Sequence, residues 1–185
     1  MPRLVELIRL LEEYPAPPGE RSARRLMLEL ARGPDDPFAR DLFIPGHFTA
    51  SGFVVSPDDL HLLLIHHRRL DRWVQPGGHI DPTGEHVIDA AAREVEEETG
   101  IGDLTLLHEG LFDVDVHDVP SAGVEPAHAH FDLRFLFQAG SVALTAAPEV
   151  HDAAWIPLDE VAAMATDPSV VRAVDKLRSR SPGVR

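Results

Sequence analysis

The sequence predicts an α/β domain behind a short helical segment, and three features carry that expectation. Apolar residues near the N-terminus recur at helical spacing. From Phe48 onward the rhythm turns to short apolar runs separated by Pro, Gly and Asp. One long helical pattern, His86 to Thr99, interrupts those runs and ends at Gly100, where a left-handed residue is wanted.

Leu4, Leu7, Ile8 and Leu11 form the first stripe, which Pro15, Pro17 and Pro18 stop. Ala23, Leu26, Met27 and Leu30 form a second, ending at Gly33-Pro34. These helices make residues 1–46 an appendage that packs on the domain or joins two copies in a homodimer; residues 47–185 form the domain. Strands are expected at Ser51–Val55, Leu60–His66, Leu104–His108, Phe112–Val116 and Ala153–Ile156. Phe131, Leu133, Phe135 and Phe137 alternate with mostly polar residues, the pattern of a half-buried strand. Asp159 is placed to cap a helix running through Met164, and a last helix is expected from Pro168 to Arg178.

Composition bounds the function. With 185 residues, 44% hydrophobic and 26% charged, the chain has the make-up of a soluble globular protein. No apolar run is long enough to span a membrane and the N-terminus lacks a secretion pattern, so a cytoplasmic location is expected. The absence of cysteine excludes disulfides, thiolate metal sites and cysteine nucleophiles. Lys176 is the single lysine, which argues against a P-loop or Schiff-base chemistry. Acidic residues outnumber basic ones 31 to 17, and no basic patch stands out, so no long nucleic acid is expected as partner. A small anion remains possible where metal ions neutralise the site.

The helix from His86 to Thr99 holds the main functional signal. At 100° per residue, Ile88, Ala91, Ala92, Val95 and Thr99 share the face expected to be buried, while Glu94, Glu97 and Glu98 converge on another. Glu94 and Glu98 are like charges at i, i+4, and the last turn opposes negative charge. Taken alone, that acidity fits a solvated helix face. Converging carboxylates are also what a hard divalent cation uses. Before the helix lies Gln75-Pro76-Gly77-Gly78-His79-Ile80-Asp81-Pro82-Thr83-Gly84-Glu85, whose paired glycines allow close backbone approach to a ligand.

The segment from Gly78 to Ile101 resembles the Nudix box, G-x5-E-x7-R-E-U-x-E-E-x-G-U, with U a bulky aliphatic residue. Glu85, seven residues, then Arg93-Glu94-Val95-Glu96-Glu97-Glu98-Thr99-Gly100-Ile101 match its second half throughout. One departure stands out: six residues, not five, separate Gly78 from Glu85. The resemblance implies an α/β/α sandwich with a mixed sheet. It implies Mg²⁺ or Mn²⁺ held by Glu94, Glu97 and Glu98, with Glu85 and the Gly77 carbonyl as further ligands. Arg93 would orient the carboxylates, and Glu94 or Glu97 would be the general base. The implied reaction is water attack on phosphorus in a nucleoside diphosphate linked to another group.

Residues outside the box are candidates too. His128, His130 and Asp132 share one strand parity, with Glu125 upstream, and make a polar face for metal or substrate, or simply a hydrated sheet face. His79 and the pair His66-His67 flank the box loop, where contact with phosphate competes with an ordinary surface role. Glu149 is a further acid, and Trp73 and Phe112 are stacking candidates or core. Rival readings are a Nudix-fold nucleotide sensor without hydrolysis, which a degenerate box would have favoured, and an isoprenoid-isomerase relative, whose cysteine is absent. A decapping role fits poorly with the acidic charge.

Overall fold

The computed structural model describes residues 2–148 and 150–179. Two N-terminal helices, α1 (Pro2–Glu13) and α2 (Arg21–Ala31), are joined through a 3-10 turn at Pro18–Glu20. Strands β1 (Gly46–Val55), β2 (His61–His67), β3 (Arg72–Val74) and β4 (Gly77–His79) follow, then α3 (Val87–Thr99). After it come β5 (Leu104–Leu106), β6 (Asp113–Val119), β7 (His128–Ala139), β8 (Val150–Pro157) and α4 (Pro168–Ser179).

The strands form one mixed sheet of order β3-β2-β1-β7-β5, in which β4 pairs with β1, β6 with β7 and β8 with β2. Among the paired strands of the described residues, only β1 and β7 run parallel; their register sets His47 beside His130, Thr49 beside Asp132 and Ser51 beside Arg134. Because side chains alternate across a strand, β1 divides its chemistry. Phe48, Ala50 and Val54 join Val95 and Ala91 of α3 and Leu7, Leu11 and Met27 of the N-terminal helices in one apolar cluster. Phe53 and Val55 join Val170, Ala173 and Val174 of α4 in another, on the opposite face. Helices thus cover both faces of the sheet, as the α/β/α expectation required. No helix among the described residues is long and apolar enough to cross a membrane.

Three expectations are corrected. The half-buried strand is buried almost throughout, because β1 and β6 flank it and its polar face is covered as well. Asp132 and Arg134 on that face are 3% and 2% exposed, so it is no hydrated surface. The helix expected from Asp159 shortens to one 3-10 turn, Val161–Ala163, without a side-chain cap. There the chain is drawn back to β3: the Trp73 amide donates to the Ala165 carbonyl at 2.9 Å and Thr166 Oγ1 to the Trp73 carbonyl at 2.6 Å. On α3, Val87 and Ala90 are buried while Ile88 and Ala92 are only half-buried, since the helix is rotated toward the sheet relative to the expected stripe.

An ionic network ties these layers together. Arg134 pairs with Asp132 at 2.7 Å and Asp113 at 3.3 Å, and Arg172 of α4 reaches Asp113 at 2.8 Å and Asp115 at 3.3 Å. Lys176 of α4 meets Asp113 at 2.7 Å and Glu20, beneath the N-terminal helices, at 2.5 Å. Burial raises the Asp115 carboxyl, but the hydrogen bond from His117 and the charges of Arg134, His117 and Arg172 outweigh it and bring it from 3.8 to about 2.

A pH dependence of stability follows. A carboxylate held below its unfolded value stabilises the fold above that value and loses the contribution as pH falls through the folded one. Asp115 therefore contributes about 2 kcal/mol at neutral pH, lost between about pH 4 and about pH 2. Urea unfolding of the wild type and Asp115→Asn should show a gap that closes over that window. A gap independent of pH would overturn the assignment.

Candidate active site

Strand β4 brings the glycine segment alongside β1, with Gly77 opposite Ser51 and His79 opposite Thr49. The segment expected as a loop is therefore a sheet edge, and its glycines are there for space. A Cβ at Gly77 would stand 2.7 Å from the Ser51 Cα, and one at Gly78 would stand 2.5 Å from Glu94 Oε2. Helix α3 can thus press its carboxylates directly onto this backbone. Glu98 Oε2 accepts the Gly77 N–H at 2.9 Å. Gly100 closes the helix in the left-handed conformation, φ 76°, as its position predicted.

Arg93 gathers the remaining acids. Its Nε and Nη2 donate to the two oxygens of Glu85 at 2.9 and 3.1 Å. Its Nη1 donates to Glu94 at 2.7 Å and Glu97 at 3.0 Å, and Nη2 also reaches the His79 carbonyl at 2.9 Å. The extra residue of the box is absorbed in a turn over 82–84, where Thr83 donates to Asp81 Oδ1 and Gly84 takes a positive φ of 108°. Glu85 still reaches Arg93. Burial raises Glu85, but Arg93 and the Asp81 amide hold it below the usual range. Burial pushes Glu94 up, and the nearby charges of Glu97 and Glu85 add to that while Arg93 opposes it. One guanidinium thus serves several converging carboxylates, so negative charge is left over. That excess of oxygen donors suits a hard divalent cation.

A cavity of about 1020 Å³ opens beside them, lined among others by Glu94, Glu97, Glu98, His79 and His130. It is large enough for a nucleotide-sized ligand. On its floor Asp132 accepts from Ser51 at 2.7 Å, Thr49 at 3.1 Å and Gln75 at 3.1 Å. Asp132 is thus locked by protein donors. Arg40, Arg69 and Arg72 also line the cavity, Arg40 coming from the segment before β1 and Arg69 and Arg72 from the turn between β2 and β3 and the start of β3. Arg69 keeps Nε and Nη2 buried without a protein partner, as do Gln75 Oε1 and Ser169 Oγ. Sequence reasoning named none of these arginines as site residues, because only the fold brings Arg40 together with the others.

Not every candidate arrives there. His67 lines the cavity, but His66 stacks beside Trp73, with ring centroids 5.3 Å apart. Trp73 and Phe112 pack with the apolar cluster under α4. Glu125 forms ion pairs with Arg40 and Arg69 at the rim. His128 is buried behind His130 and lines a separate hollow with Phe43 and Pro45. Glu149 lies outside the described residues.

The family model of the NUDIX domain matches residues 46–175, most of the chain. The chain belongs to the Nudix family. No curated protein matches it in sequence. Among solved structures, it is similar to a Nudix-family hydrolase from Clostridium perfringens, at 24% identity and TM-score 0.55, over 71% of this chain and 96% of that one. It is also similar to an Ap4A hydrolase from C. elegans, at 20% identity and TM-score 0.53, over 71% and 95%. The NUDIX domain of Shewanella oneidensis NrtR, solved with ADP ribose, aligns at 20% identity and TM-score 0.53, over 72% and 86%. These likenesses carry the fold. Enzymes of the Nudix family are hydrolases that typically use divalent metal ions, and this Nudix chain keeps the box carboxylates together with Arg93.

Proposed function

We propose that the protein hydrolyses the pyrophosphate linkage of a nucleoside diphosphate joined to another group, or of a nucleoside triphosphate, using Mg²⁺ or Mn²⁺. The observation that carries this reading is that Glu94 and Glu98 meet on the glycine strand, with Glu97 beside them on the wall of a nucleotide-sized cavity. These three would hold the ion, with Glu85 and the Gly77 carbonyl as further ligands. A carboxylate oxygen has more than one lone pair, so Glu85 can keep its bonds to Arg93 and still serve. A bound divalent cation offsets charge on the pyrophosphate and makes water a better nucleophile near neutral pH.

The remaining steps fall to the chain's own residues. Glu94 or Glu97 takes the proton of the attacking water as its oxygen bonds to phosphorus and the bridging P–O bond breaks. Arg93 holds both carboxylates in place for that transfer. The positive charge of Arg69 at the cavity wall suits an anionic ligand. His79 and His130 would contact the substrate from the cavity wall, and His128 would act through His130.

The test is a panel of nucleoside triphosphates, ADP-ribose and dinucleoside polyphosphates, with product followed in Mg²⁺, in Mn²⁺ and in excess chelator. Cleavage of at least one compound, abolished by chelator and restored by the metal, is the expected result. Binding without product anywhere in the panel would replace hydrolysis with a nucleotide-sensing role.

A further inference from the structure

We propose that His47, His79 and His130 form a second metal site, for a borderline divalent ion such as Zn²⁺, distinct from the carboxylates of α3. A ligand nitrogen from each of the three lies within 4.8 Å of the other two. The sheet makes this trio: His47 sits beside His130 on the parallel pair, and His79 pairs with Thr49, two residues along the same face from His47. Their ring centroids are 4.9 to 5.4 Å apart.

Hydrogen bonds fix which nitrogens are free. His47 Nδ1 stands 3.2 Å from the Leu42 carbonyl, which only accepts, so that nitrogen carries the proton and Nε2 carries the lone pair. His47 is fully buried, and its Nε2 has no protein partner. A buried acceptor left without a donor is unfavourable, and a cation held with His79 and His130 would satisfy it. His128 Nδ1 likewise donates to the Pro126 carbonyl at 2.8 Å, leaving its Nε2 to accept from His130 Nε2 at 3.1 Å. His130 then keeps its Nδ1 lone pair. Carbonyl acceptors behind ligand histidines are the usual means of setting tautomer and orientation at a metal.

The chemistry selects the ion. Imidazole nitrogens suit Zn²⁺ and its neighbours, whereas carboxylates suit Mg²⁺. Zn–N bonds of about 2.0–2.1 Å put tetrahedral ligand atoms roughly 3.4 Å apart, so binding would draw together nitrogens that lie within 4.8 Å of one another here. Neutral imidazole is the ligand form. His79 and His130 also line the cavity, so a ligand from it could complete the coordination of a bound ion. The inference stands whether or not the chain cleaves nucleotides.

The test uses the full chain stripped of metal and titrated with Co²⁺, reading the intense visible absorption of tetrahedral cobalt. The band should saturate at one equivalent, be displaced by Zn²⁺ and persist in the double variant Glu97→Gln/Glu98→Gln. His79→Asn and His130→Asn should each weaken binding by about 100-fold or more. Absence of the band, its loss in the glutamine variant, or its persistence in both histidine variants would overturn the site. Should a histidine variant fail to fold, the Zn²⁺-dependent rise in Tm of the glutamine variant decides instead. A rise supports the site, and no rise refutes it.

Discussion

Glu98→Gln lowers kcat on the best substrate by about 10²- to 10³-fold, the scale of removing one preorganised electrostatic group, while the protein keeps or gains stability. The two effects separate because glutamine is nearly isosteric. Its side-chain oxygen can still accept the Gly77 N–H that Glu98 Oε2 accepts at 2.9 Å, so α3 stays docked on β4. What disappears is one negative charge. Glu94 and Glu98 repel at i, i+4, which costs about 0.2–0.5 kcal/mol, and the substitution relieves it. A purely structural Glu98 would therefore give wild-type turnover in the glutamine variant. A cation ligand would give slow turnover, a higher metal requirement and an unchanged or raised Tm. Rates and melting curves measured across a Mg²⁺ titration distinguish the two, and wild-type kcat would remove Glu98 from the metal shell.

Lys176→Met destabilises the fold by about 3 kcal/mol, near the lower end of the range for breaking a buried ion pair. That corresponds to a fall in Tm of roughly 6–12 °C for a chain of this size. Methionine replaces the aliphatic stem, so the loss isolates the ammonium. Its Nζ meets Asp113 at 2.7 Å, Glu20 at 2.5 Å, the Tyr14 hydroxyl at 2.8 Å and the Phe112 carbonyl at 3.1 Å. The side chains of Glu20 and Asp113 are 0% exposed, so neither carboxylate can turn to water. Arg172 remains with Asp113 at 2.8 Å, which keeps the loss from reaching the upper end. Burial, helped by Glu20, also pushes the Tyr14 hydroxyl up, so it stays protonated and donates to Glu20. Denaturant titrations of the two proteins test this, and a difference below about 1 kcal/mol would show that the network tolerates loss of its lysine.

The parts of this molecule written in local pattern were legible in its sequence. The stripes of α1 and α2, the carboxylate face of α3 and the left-handed Gly100 follow from spacing alone. Strands β3 and β4 do not, because three residues are too few to show alternation and Gly77 and Gly78 have no side chains to alternate. The first half of β1 escaped for another reason. His47 and Thr49 are polar yet buried, and their burial depends on Asp132 and the histidines that distant strands bring to them. Arg134 read as one polar position in an alternating strand, whereas its three acid partners, Asp113, Asp115 and Asp132, come from two strands. His47 drew no notice as a lone histidine. Its significance lies in its cross-strand neighbour, and register is a property of the fold.

The clasp between Arg93 and Glu85 has a consequence for how this protein tolerates change in length. Arg93 grips both oxygens of Glu85 from a rigid helix, so a side chain, and not the count of residues before it, sets where that acid stands. The turn over 82–84 is exposed and bears no apolar anchor in either core cluster. Lengthening such a loop costs little entropy, about 0.6 kcal/mol per doubling. Insertions and deletions there can therefore accumulate with the carboxylate geometry preserved, whereas the same change inside β1 would turn every side chain to the wrong face.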